Sequence, residues 1–231
     1  MSPSTAAALL LVVVTGVGAT AQAQAQAQAQ TQPAPPRYPV RPSPLPEAEE
    51  IRLAESAAPR EVSSRAGIYV LRATGPEQVR PSANGVMCMV ARDLHEGSRY
   101  PICYDAEGSR TLMQQELMEL RLRVEGKTEP EVKAAVAAAW TDGTLKAPSR
   151  TALAYMMSAH QVLFTSPDSS GRHVGAWRPH LMISAPGARG TDFGLAHESA
   201  IQTITVDREG MPGAQLVVVV PAWADSAAAR R

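Results

Sequence analysis

The spacing of apolar and polar residues predicts the elements of this chain before any chemistry is considered. Between Glu47 and Ala57, Ile51, Leu53 and Ala54 sit among acids and Pro59 stops the run, so a helix is expected. Gly67 to Ala73 reads as a strand. Pro81 to Gly85 reads as a turn, because Asn84-Gly85 supplies the positive φ angles of tight hairpins. Val86 to Ala91 is then the returning strand, with Val86, Cys88 and Val90 on one face. His95 to Ser98 reads as a loop and Pro101 to Asp105 as a short extended piece.

The period then becomes helical. Leu112, Met113, Glu116, Leu117 and Leu120 share one face of a helix running to about Glu125, capped by Ser109 or Thr111 and stopped at Gly126. Thr128 and Glu131 have capping-box spacing around Pro130. The helix they open carries Val132, Val136 and Trp140 on one buried stripe, and Gly143 ends it. Strands are expected at Thr151–Ser158, Val162–Thr165, Leu181–Ala185, Ile201–Val206 and Leu216–Val220. This order predicts an α+β single domain with a mostly antiparallel sheet and two or three helices. No internal repeat and no alternating βαβ pattern is present.

Composition changes the picture mainly at the N-terminus. Ala6 to Val17 is an uncharged apolar run of signal-peptide length, too short to span a bilayer, and is followed by the small residues Ala19-Thr20-Ala21. No Lys or Arg precedes it. Residues 1–21 are therefore expected to be a signal peptide, and no membrane span is expected after its cleavage. Residues 22–46, Gln/Ala repeats and then many prolines, read as a disordered tether. Residues 47–225 read as the domain and 226–231 as a disordered tail. A periplasmic or secreted location follows from the export signal.

Lys+Arg and Asp+Glu both number 22, so the formal net charge is zero, which gives no support to a nucleic-acid partner. In an exported chain the only two cysteines, Cys88 and Cys103, are expected to form a disulfide.

Motifs for chemistry are sparse. There is no G-x-S-x-G, no Walker A and no G-x-G-x-x-G, and His95-Glu96 and His197-Glu198 lack the second histidine of a zincin helix. Nothing calls for a cofactor, and no metal site is assigned. Gly187 to Gly194 is glycine-rich but reads as a mobile surface loop.

The segment Gly171–Gly187 holds the best candidates. His180, at the mouth of a strand after Pro179, could act as a general base. With His173 or His160 it could hold a metal, but a structural role weighs more. On the strand, Leu181 and Ile183 face one way and His180, Met182 and Ser184 the other. Trp177, Arg178 and His180 are the candidate binding residues. Arg172 and Arg178 raise the question of an anion site. Tyr155 could orient a substrate. Asp105 with Glu107 could form a carboxylate pair, although capping the next helix is the commoner use.

The strings PICYDAEGSRT, YMMS, RPHLM, VPAWAD, EIRLAESAAP and NGVMCMV resemble a group of uncharacterised exported bacterial proteins, over roughly Glu50 to Asp225. The resemblance implies export and a single domain, and it implies no catalytic residues. It also places arginine at position 178 where that group often carries histidine, one candidate metal ligand fewer. Two functions are thus expected. The first is a non-catalytic periplasmic binding or interaction module using the surroundings of His180. The alternative is a small hydrolase-like or metal-assisted enzyme, with His180 as base and Tyr155 or Asp105 assisting.

Overall fold

The computed structural model describes residues 41–93, 97–163, 177–195 and 204–224. The expected signal peptide, residues 22–40 of the tether, His95, Arg172, His173, His197 and the tail 226–231 lie outside the described residues.

Among these residues eight strands form one sheet: β1 (Gly67–Arg72), β2 (Gly75–Arg80), β3 (Met87–Ala91), β4 (Tyr100–Tyr104), β5 (Leu153–Met156), β6 (His180–Ser184), β7 (Ile204–Asp207) and β8 (Gln215–Val219). Their order is β2-β1-β3-β4-β5-β6-β8-β7. Every pairing is antiparallel except β1 with β3. Five helices accompany them: α1 (Glu47–Glu55), α2 (Arg60–Ser63), α3 (Ala106–Arg110), α4 (Leu112–Val124) and α5 (Glu129–Thr141). The fold is α+β, with three long helices and two single turns.

Strand alternation sorts the side chains into two cores. On one face Ile68, Val70, Cys88, Val90 and Cys103 pack against Leu53, Ala54 and Ala57, the apolar side of α1 and its end. On the other, Leu71, Met89, Ile102, Tyr104, Ala154, Met156 and Met182 pack against Leu112, Met113, Leu117 and Leu120 of α4. Val132, Val136 and Ala139 of α5 then pack against Met118 and Leu122 on the outer side of α4. The central strands are buried on both faces, which is why "MCMVA" of β3 is almost wholly apolar. Glu50 of α1 forms a buried ion pair with Arg92 just after β3, at 2.8 Å, so each charge is matched where water is excluded. Leu45, on the expected tether, packs against the α1 core.

Three expectations need correction. The two-residue turn at Ala73-Thr74, ending on Gly75 at φ 122°, makes the hairpin, and Gly75–Arg80 is a strand. Pro76, Glu77 and Gln78 hide it, because an outermost strand tolerates proline and charge. Consequently the Asn84-Gly85 turn does not join hairpin partners. It leads from β2 to β3, which runs parallel to β1, and the Asn84 amide donates to the Val62 carbonyl. Second, a separate turn, α3, precedes the expected helix and is capped by Asp105, while Thr111 holds the N-cap position of α4 as expected but makes no side-chain capping bond there. Third, Val162 makes only an isolated bridge to Arg99, and residues 164–165 lie outside the described residues. Trp140 is half-buried, whereas Val132 and Val136 are buried as expected. Residues 187–194 form a 3-10 turn at Gly190–Phe193, held by Gly187 N–H to Met211 O and by Gly210 N–H to Ala188 O.

Cys88 and Cys103 stand directly opposite on β3 and β4 and form a disulfide, both fully buried. A loop of 15 residues closed in this way contributes about 2–4 kcal/mol. Replacing both cysteines with alanine should lower unfolding free energy in urea by that amount. Thiol titration of the denatured, unreduced protein should find none free, and two free thiols would refute the bridge.

Candidate functional site

The face of the sheet that carries α4 continues past that helix onto β6, β8 and β7. There the inward side chains line a cleft of about 470 Å3. Register fixes its floor. Met156 stands opposite His180, and His180 opposite Val219; Met182 stands opposite Val217, and Val217 opposite Thr205; Gln215 lies between Ser184 and Asp207. The middle of the floor is therefore apolar, with a histidine row at one end and a glutamine–aspartate row at the other.

His180 is the first residue of β6 rather than a loop residue before it, and it is 5% exposed. It faces the same way as Met182, as alternation requires. Its Nδ1 lies 2.7 Å from the Arg178 carbonyl. A carbonyl only accepts, so Nδ1 carries the hydrogen and the neutral ring keeps Nε2 as an acceptor. Burial pushes the imidazole below its ordinary value, against the opposing pull of that carbonyl and of Asp207. Trp177, 48% exposed, packs edge-on to His180 at 6.1 Å and tilted on Tyr100 at 5.6 Å. Arg178 is exposed beside it and also lines the cleft. Trp177, Arg178 and His180 thus form one edge of a single cavity.

The opposite end holds charge. Arg208 donates to Glu116 of α4 at 2.5 Å and lies 3.8 Å from the Asp207 carboxylate. Burial works against the Arg208 charge, but Glu116, then Tyr104 and Asp207, hold its pKa above the ordinary value. Burial pushes the Glu116 carboxyl up, against the pull of Arg208. To reach Glu116, Arg208 adopts a left-handed backbone, φ 54°, which costs an L-residue about 1 kcal/mol or more. The surrounding turn over-determines it: Met211 N–H bonds Arg208 O, and Gly190 N–H bonds the Glu209 carboxylate.

Beside this pair sits Gln215, 0% exposed, with neither its amide oxygen nor its amide nitrogen hydrogen-bonded. Buried side-chain amides are nearly always paired; Tyr104 Oη, Arg123 Nε and Gln161 Oε1 are also buried without a partner, but among the described residues Gln215 alone leaves both a donor and an acceptor unpaired.

The remaining candidates are elsewhere. Tyr155 points to the opposite face of β5 and packs against the disulfide core. Burial, then Asp105, raises its pKa. Asp105 accepts from Gly108 N–H at 2.7 Å, a helix cap. Glu107 does not converge with it. Its carboxylate accepts from Ser149 N–H and Oγ and pairs with Arg110, and these partners, Ser149 N–H foremost, hold it below the carboxylate range. His160 is exposed and does not line the cleft. Among the described residues no three of His, Cys, Asp and Glu gather as metal ligands.

Glu116, Arg208 and Gln215 went unread as site residues. A signal existed for two: Glu116 breaks an apolar helical stripe, and Gln215 opens the run "QLVVV" on the inward face. Arg208 carried none, because its position depends on an irregular turn. No protein-family model, curated protein or solved structure matches the chain.

Two outcomes follow. The His180 ring should titrate below about pH 6.5 by NMR, with the proton on Nδ1 in the neutral form. Its folded pKa is depressed, so the associated stability is present above that pH and lost as pH falls through the folded value. The pH slope of stability between about 7 and 5 should therefore shrink in His180→Gln. Separately, an unpartnered buried amide costs about 1–3 kcal/mol, so Gln215→Met should raise Tm by a few degrees. A fall in Tm would show that the amide supports the fold.

Proposed function

We propose that this chain is an exported, non-catalytic binding protein that takes a small, largely apolar ligand into the cleft over β6, β8 and β7. The observation that carries this is the cavity itself: an apolar sheet floor, ordinary ligand-site volume, and a half-exposed Trp177 ring propped by Tyr100 and His180 at its rim. A half-exposed indole at a pocket rim offers a flat apolar surface with a polar N–H on which a ligand can stack. The disulfide supports the export part of the reading, because such bonds persist in oxidising compartments. No helix among the described residues is long and apolar enough to cross a membrane.

Binding is favoured over hydrolysis by what surrounds His180. Its Nε2 is left as an acceptor, but the described residues lining the cleft include no serine or cysteine, and their threonine, Thr205, lies on β7, separated from the β6 strand of His180 by β8. Tyr155 and Asp105, the expected helpers, serve the other face and a helix cap. The ring thus provides a hydrogen-bond acceptor for a ligand rather than a base beside a nucleophile.

The test is a fluorescence titration with the uncharged probe N-phenyl-1-naphthylamine. Saturable one-to-one binding is expected, weakened about tenfold or more by Met182→Trp, which fills the floor, and weakened also by Trp177→Ala. Absent binding, or binding indifferent to Met182→Trp, would overturn the cleft as the site. Turnover of p-nitrophenyl octanoate that disappears in His180→Ala would overturn the non-catalytic reading.

A further inference from the structure

We propose that the Gln215 end of the cleft receives an uncharged carboxamide-type head group, a –CO–NH– unit of an amide, lactam or ureide, whose apolar body lies along Met182, Val217 and Val219. The inference rests on the cleft being a binding site and adds what the ligand must carry.

Gln215 is the central observation. Gln215 borders the cleft, its amide is fully covered and leaves both a donor and an acceptor unused, so a head group meets it when the flexible side chain turns outward into the cleft. A lone donor–acceptor edge is fully satisfied only by a partner presenting an acceptor and a donor side by side, as a primary amide or the cis amide of a lactam or cyclic ureide does. A carboxylate head would match the nitrogen and leave the oxygen unmet. An ammonium head would match the oxygen and leave the nitrogen unmet.

The neighbouring charges reinforce the choice. The Arg208 guanidinium is the obvious anion receptor, yet it already lies between Glu116 at 2.5 Å and Asp207 at 3.8 Å. An anion arriving at Gln215 would meet two carboxylates sharing one arginine, which disfavours it. Arg208 is thereby a fixed element of the wall that positions Glu116. The cleft's second arginine, Arg178, is exposed and stands in the His180 region, at the opposite end of β6 from Ser184, the residue facing Gln215. From Gln215 to Val219 along β8 is about 13 Å, so a head at Gln215 leaves room for a linear apolar body that ends near Trp177.

Displacement of N-phenyl-1-naphthylamine by octanamide, octanoate and octylamine at pH 7.5 tests this, because the three share a chain and differ in the head. Octanamide should displace the probe at about tenfold lower concentration than either charged analogue. In Gln215→Met the three should fall within about twofold of one another while the probe still binds. Equal displacement by all three on the wild type, or a preference that survives Gln215→Met, overturns the head-group assignment. If the probe still binds and Met182→Trp still blocks it, the cleft reading stands on its own. If the probe does not bind, calorimetry with octanamide decides, and no heat at millimolar concentration overturns both.

Discussion

A helix can cover only as much sheet as its length allows, and this constraint shapes the whole molecule. Eight strands set about 4.8 Å apart extend over roughly 34 Å between the outermost backbones. The helix α4, with 13 residues, is about 20 Å long. Arg121, near its C-terminal end, reaches the Gly75 edge at β2. A helix placed there packs the strands through β5, reaches Met182 of β6 and Val217 of β8, and leaves the rest of the inward face of β6, β8 and β7 to be finished by other means. The means are side chains standing at the margin of α4: Glu116 clasping Arg208 at one end, Tyr100 and Trp177 at the other. The cleft is what remains between them.

That arrangement explains why the polar groups of the cleft are so unequal in their satisfaction. Glu107 and Glu50 are buried and each meets opposite charge or several donors. They lie where helices and sheet close on one another, and an unmet group there would cost stability without return. Gln215 and the strained backbone of Arg208 lie where closure stops. A left-handed arginine and a doubly unpaired glutamine at one cavity are local costs of the kind found where a site is shaped by something other than stability.

The sequence carried the layers of the fold but not the order in which the strands associate. Period-two alternation put Cys88 and Val90 on one face and His180, Met182 and Ser184 on another, and both groupings follow from geometry that needs no partner. The capping box at Thr128 and Glu131 is local in the same sense. What could not be read locally was β2, whose proline and charges suit an edge, and therefore the parallel pairing of β1 with β3. The site was half legible for a similar reason. Trp177, Arg178 and His180 are neighbours in sequence, whereas Glu116, Arg208 and Gln215 converge from a helix, a turn and a strand, the first two 92 positions apart. Tyr155 shows the limit of one-dimensional proximity. It is adjacent to Met156, which faces His180, and its own side chain belongs to the other core.

The strands also lie across the sheet in nearly the order in which the chain supplies them. For a chain emerging N-terminus first, β3, β4, β5 and β6 each find a sheet neighbour already in place. The exception is β7, whose one partner, β8, comes after it. The residues from 47 to 156 can therefore assemble both cores around the disulfide while the outer strands are still arriving. The Gln215–Asp207 row is completed only when the last strand threads between β6 and β7, so the cleft takes shape at the final step of chain assembly.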